Sequence, residues 1–157
     1  MNKIWNGFLS LFYAVGYFGD KIVFLIICLL FLNQPKFFIS YIFFSIINII
    51  INKYLINVIK EKNPSNPIKF LASDTFSKHR YGMPSIHCQN IFFSIMYSYL
   101  ILKQWLLLLI TGIIGIIVIY ERYIFRDHTM GQLIYGALLG LIIGYISYFI
   151  FLNINNY

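Results

Sequence analysis

Long apolar runs, parted by short polar joints, leave this chain few folds to choose from. Between Phe37 and Ile59 a single side chain, Lys53, carries charge. About 20 mostly apolar residues cross a bilayer, and within lipid the backbone must satisfy its own polar groups, which favours helices. Only 11% of the residues are charged, where a soluble domain has about a quarter. Such a chain cannot cover itself with polar groups, so its outer surface faces lipid. The load of 16 Phe and 13 Tyr fits lipid-facing and interfacial positions.

The expected fold is all-α: a polytopic membrane bundle of about five spans plus an N-terminal interfacial helix, in one domain covering 1–157. Gly16, Gly19, Asp20 and Lys21 interrupt the first apolar block. They divide it into a short interfacial or half-inserted helix, Ile4–Phe18, and a span near Lys21–Leu32. There is no small-residue cleavage site before Asp20, so the segment reads as an uncleaved anchor or an interfacial helix. Asn33–Lys36 is a turn. Further spans run over Phe37–Ile59, Pro84–Leu102, Trp105–Phe125 and Asp127–Leu152, with a turn at Lys103–Gln104. Lys60–Met83 is a surface loop with Pro64 and Pro67. Gly136, Gly140 and Gly144 recur every fourth residue, giving one helix a nearly bare face for close packing.

The net charge of +7 sits between the apolar runs, where it meets anionic headgroups or an anionic substrate. No basic stripe on a polar face suggests nucleic acid. Cys28 and Cys88 lie in apolar runs and form neither a metal spacing nor a disulfide framework. Following the spans in order puts Lys60, Lys62, Arg80, His87, Arg122, Arg126 and His128 at one membrane face. Pro35–Lys36 and Lys103 fall at the other.

Charged and imidazole groups near membrane depth are functional candidates by default. Two helix starts stand out. One is Tyr81-Gly82-Met83-Pro84-Ser85-Ile86-His87; the other is Arg122 followed six residues later by His128, with Gln132 a turn beyond. Two histidines, an arginine and a serine at two helix mouths suit phosphoryl transfer. One neutral histidine can attack phosphorus and the other can protonate the leaving oxygen. Arginine and free N–H groups can hold the phosphoryl oxygens. No cofactor is called for, and the carboxylate clusters that hold magnesium are not evident.

These residues resemble the second and third signature motifs of the type-2 phosphatidic acid phosphatase superfamily. Its members are helical membrane enzymes that hydrolyse lipid phosphates and diphosphates. The stretch from Arg80 through His87 and Gln89 is similar to the dolichyl-diphosphatase branch, as are His128-Thr129, Gln132 and Tyr135-Gly136. Asn57-Val58-Ile59, with Glu61 and Pro64, resembles the first motif. The resemblance implies that His128 is the nucleophile, His87 the acid and Arg122 the phosphoryl binder. Ser85 would hydrogen-bond the phosphoryl group and Gln132 would orient His128. It also implies a lipid phosphate or diphosphate substrate and a site on the lumenal or external side of its membrane, the endoplasmic reticulum with a lumen-facing site being one such placement. The concentration of Lys and Arg on the site face would place that face in the cytoplasm instead.

The chain departs from the family pattern at several positions. Ile56 and Asn63 stand where the family has a phosphate-holding lysine and arginine. Ile86 replaces a small residue, Glu121 a serine, and Gln132 an aspartate found in many members. Lys53 and Lys60 share the helix face of Ile56, and Lys62 adjoins Asn63, so a flexible lysine can act there as a point charge. Three functions follow: an active lipid phosphatase, a degenerate relative that binds anionic lipid without turnover, or an assembly protein using the Gly136–Gly144 face.

Overall fold

A computed structural model of the protein describes residues 3–68 and 81–155, with side chains over 10–68 and 81–154. His79 and Arg80 lie outside the described residues. Five helices make up the fold among the described residues: α1 (Lys3–Phe31), α2 (Pro35–Ile59), α3 (Ile86–Leu102), α4 (Trp105–Ile124) and α5 (Met130–Asn155). Four have stretches long and apolar enough to cross a membrane, while α3 is a shorter apolar helix. Their outer faces carry Leu25, Ile39, Ile50, Trp105, Ile116 and Ile146, all exposed. The protein is a polytopic membrane bundle.

The joints fall where turn chemistry puts them. Pro35 opens α2 at its first turn, where the missing N–H costs nothing. Lys60 and Lys103 end α2 and α3 in the left-handed conformation, and their N–H groups return to the carbonyls of Ile56 and Tyr99. Two helices start later than the sequence pattern suggests. Ser85 N–H is bound to Gln132 O, and Pro84 O accepts from Asn52, so the chain before Ile86 is held extended. Asp127 and His128 both give their N–H to Arg122 O, which delays α5 to Met130.

The expected break in the first helix is absent: α1 runs from Lys3 to Phe31 without interruption, so no separate interfacial helix precedes the first span. Gly16 and Gly19 are contact points with α4. A Cβ on Gly16 would lie 2.4 Å from Glu121 Cβ, and one on Gly19 would lie 2.4 Å from Val118 Cγ2. Each glycine costs a helix about 1 kcal/mol of propensity, and the close packing it permits outweighs that.

Helix α3 is central and is packed by the other four. Its partner α5 lays the bare glycine face against α3 backbone. A Cβ on Gly136, Gly140 or Gly144 would lie 2.5, 2.3 or 2.8 Å from the carbonyls of Ser85, Gln89 and Phe93. Helix α2 holds α3 by polar contacts. Gln89 Nε2 donates to Asn48 O and Oδ1 (2.9 and 2.8 Å), and Asn52 Nδ2 donates to Gln89 Oε1 (2.7 Å). Towards the far end of the bundle Tyr41, Phe93 and Tyr97 stack at 5.8–6.0 Å. At that end Lys103 lies over Tyr148, and Phe37 meets Phe151. The post-α2 loop, the start of α3 and the α4–α5 turn converge at the opposite end, joined by Gly82 N–H to Glu61 O and Ile68 N–H to Phe125 O.

The glycine contact gives a direct test. Gly140→Ala pushes a methyl into Gln89 O and Phe93 N, backbone atoms that cannot swing aside. It should cost about 1–3 kcal/mol, seen as a lower thermal midpoint in detergent. Gly112→Ala, which meets nothing within 4 Å, should be neutral or slightly stabilising.

Candidate active site

His128 sits in the turn between α4 and α5, just ahead of a capping box. Thr129 Oγ1 accepts from Gln132 N–H at 3.2 Å, and Gln132 Oε1 accepts from Thr129 N–H at 3.1 Å. Gln132 Nε2 donates to Lys62 O at 3.0 Å, which fixes the amide's orientation. His128 Nδ1 lies 3.1 Å from Gln132 Oε1. That oxygen can only accept, so Nδ1 carries the hydrogen and the lone pair is on Nε2. Gln132 thus fixes the tautomer of His128 as well as starting the helix.

The His128 ring packs beside Gly82, where a Cβ would stand 2.9 Å from Nδ1 and collide with the Asn63 amide. Gly82 is the residue that lets Asn63 and His128 share this space. Burial is the main reason that the proton affinity of His128 falls, to about 3; nearby His87 and Arg122 add to it, against the Gln132 and Gly82 hydrogen bonds. The ring is neutral near pH 7.

His87, in the first turn of α3, faces His128 with ring centroids 6.4 Å apart. Its Nδ1 donates to Asp20 Oδ2 of α1 at 3.0 Å. His87 keeps 19% of its side chain exposed, whereas His128 is buried. Ser85 stands at the N-cap of α3 with its Oγ buried and making no capping hydrogen bond. Beside Asp20 a cavity of about 200 Å³ is walled by Lys21, Ser45, Asn48, Asn90 and Ser94.

Arg122 is in the cluster, but its fork is engaged. Nη1 donates to Asp127 Oδ2 at 2.8 Å and Nη2 to Tyr17 O at 2.9 Å; Nε lies 3.3 Å from Glu121 Oε2. The guanidinium also covers the Tyr17 ring at 5.0 Å. Glu121, wedged under Gly16, faces α1 and pairs with its neighbour Arg122. Two carboxylates, Glu121 and Asp127, thus lie against this one buried arginine.

Of the residues singled out from sequence, His87, His128, Arg122, Ser85, Gln132 and Asn63 come together. Lys53, Lys60 and Lys62 stay exposed. Lys62 enters through its backbone, by its carbonyl to Gln132 and a bridge to Tyr81. Sequence reading missed Asp20 as the partner of His87, and Asp127 as the partner of Arg122. The signal for Asp20 was present: a carboxylate inside an apolar span is functional by default. The Asn48–Asn52–Gln89 network under the α3 start was missed too.

The buried His128 gives a pH prediction. Its folded ring resists a proton that the unfolded ring takes up near 6.5. The unfolded chain therefore binds more protons as pH falls below 6.5, and the fold loses stability from there down to about 3. In detergent the His128 Cε1 NMR signal should hold its neutral position from about pH 8 to about pH 5, where an ordinary histidine titrates. A midpoint near 6.5 would show a ring in contact with water.

The PAP2 superfamily profile matches residues 36–155, taking in α2 to α5 and leaving out α1. No curated protein and no solved structure matches the chain. The match covers most of the chain and both histidine-bearing helix starts, and on that ground this membrane protein belongs to the PAP2 superfamily.

Proposed function

We propose that this protein is a lipid phosphatase whose substrate is a dolichyl-type polyprenyl diphosphate, hydrolysed through a phosphohistidine. Superfamily membership and a membrane-embedded bundle support a lipid phosphate substrate. The observation that carries the reading is the facing pair His87 and His128, with His128 neutral and its lone pair on Nε2.

His128 Nε2 attacks the terminal phosphorus, and the P–O bond to the lipid monophosphate breaks. His87 gives a proton to that leaving oxygen. Water then attacks the phosphohistidine, giving its proton to His87; the N–P bond breaks and inorganic phosphate leaves. Ser85 Oγ and the open N–H groups of the first turn of α3 hold phosphoryl oxygens. Asn63 adds a neutral donor, and Gln132 keeps His128 in its tautomer. Lys53, Lys60 and Lys62 at the rim draw in the anionic headgroup, while the lipid-facing walls take the tail. Arg122 supplies positive charge from below, its geometry set by Asp127 and Glu121.

A second reading has its own support. Ile56 and Asn63 at the cationic positions of the first motif, and the carboxylates on Arg122, suit a relative that binds anionic lipid without turnover. Phosphate release from a polyprenyl diphosphate, assayed in detergent beside His128→Ala, separates the two. Wild-type release that the variant loses by on the order of 10³-fold or more fits removal of a nucleophile. Retained lipid binding with no release above the variant would select the second reading.

A further inference from the structure

The helix that the family match leaves out delivers a carboxylate to the site. Asp20 is buried within the first span, 3.0 Å from His87 Nδ1. A carboxylate at this depth is costly unless it is bound and does something. Gly16 and Gly19, on the preceding turn, are the residues that let α1 settle onto α4. Asp20 therefore reaches the α3 start through packing that its own helix is built to make.

The two histidines have different partners. His128 has a neutral amide at Nδ1; His87 has a carboxylate. Both partners force the Nδ1–H tautomer, but only a carboxylate also stabilises the ring once it carries a second proton. Among the described residues, the charged groups around His87 are Asp20 from α1, Arg122 with Glu121 from α4, and Asp127 with His128 from the α4–α5 turn. Helix α5 bears no Asp, Glu, Lys or Arg, and α2 faces the α3 start with neutral Asn52. Among the described residues, Asp20 is the carboxylate that touches His87.

We infer that Asp20 is the positioning residue of His87: it holds Nδ1–H, supports the protonated ring, and so makes His87 the acid and leaves His128 the nucleophile. In the proposed step the proton leaves His87 Nε2 for the leaving oxygen as the P–O bond breaks. The Nδ1 hydrogen stays on the ring, and Asp20 stays ionised. The effect on turnover rests on the phosphatase reading; the assignment of the His87 tautomer does not.

The test uses the full chain in detergent, with Asp20→Asn, Asp20→Glu and Asp20→Ala. If the wild type releases phosphate, Asp20→Asn should lower kcat by on the order of 10²-fold or more with KM little changed. Its alkaline limb, where the acid loses its proton, should move to lower pH, and Asp20→Glu should restore part of both. An unchanged limb and kcat would overturn the inference, because a purely structural carboxylate moves neither. Histidine ¹⁵N spectra give a reading free of activity. In its neutral form His87 should be the Nδ1–H tautomer in the wild type, and Asp20→Ala, which leaves Nδ1 no acceptor, should introduce Nε2–H. A wild-type His87 in the Nε2–H form, or spectra unmoved by the substitution, would overturn it. Failure of phosphate release in the wild type would count against the phosphatase alone, with the spectra still deciding the role of Asp20.

Discussion

Backbone contact between α3 and α5 is the constraint from which the rest follows. Gly136, Gly140 and Gly144 let α5 lie against the carbonyls of Ser85, Gln89 and Phe93, and Ser85 N–H is bound to Gln132 O at their shared end. Without side chains between them, the two helix starts meet, and the histidines that each start carries face one another. Within lipid the hydrophobic effect gives helices little reason to associate, so close van der Waals packing and interhelical hydrogen bonds must hold them. The glycine ladder provides the first. The Asn48, Asn52 and Gln89 amides, tying α2 to the same stretch of α3, provide the second.

Charge in this bundle is arranged by partnership. Each buried charged group named among the described residues has a partner: Arg122 has Asp127 and Glu121, and Asp20 has the His87 ring. Removing one member of such a group leaves an uncompensated charge, which is far more costly than the pair is worth. This couples the site to the fold. The α1 glycines that seat the first helix on α4 also set Glu121 beneath it and bring Asp20 to His87. Helix α1 is thus part of the site's architecture, although the superfamily match begins after it.

Much was legible beforehand because it depends on local chemistry. Apolar length announces a span, and the Lys103 turn and the bare α5 face each carry their own signal. His87 and His128 stood out because imidazole at a helix start in lipid has few ordinary explanations. The break placed at Gly16–Lys21 was misread for the same reason. Glycine and charge inside an apolar run look like an interruption until the neighbouring helix that needs them is known. Arg122 was recognised as a site residue, yet its engagement by Asp127 was not, since five residues along a chain say nothing about which way a guanidinium turns.

By itself the sequence determined that this is a multi-span helical membrane protein with two histidine-bearing helix starts at one face. Span length, backbone hydrogen bonding in lipid and the order of the spans suffice for that. The tertiary structure alone decided the partners. Which histidine meets a carboxylate and which an amide, which tautomer His128 holds, and whether Arg122 stands open or paired are set by groups up to 105 positions apart in the chain. Hydrogen bonds and ion pairs act over about 3 Å, and only the packed bundle brings those groups within that reach.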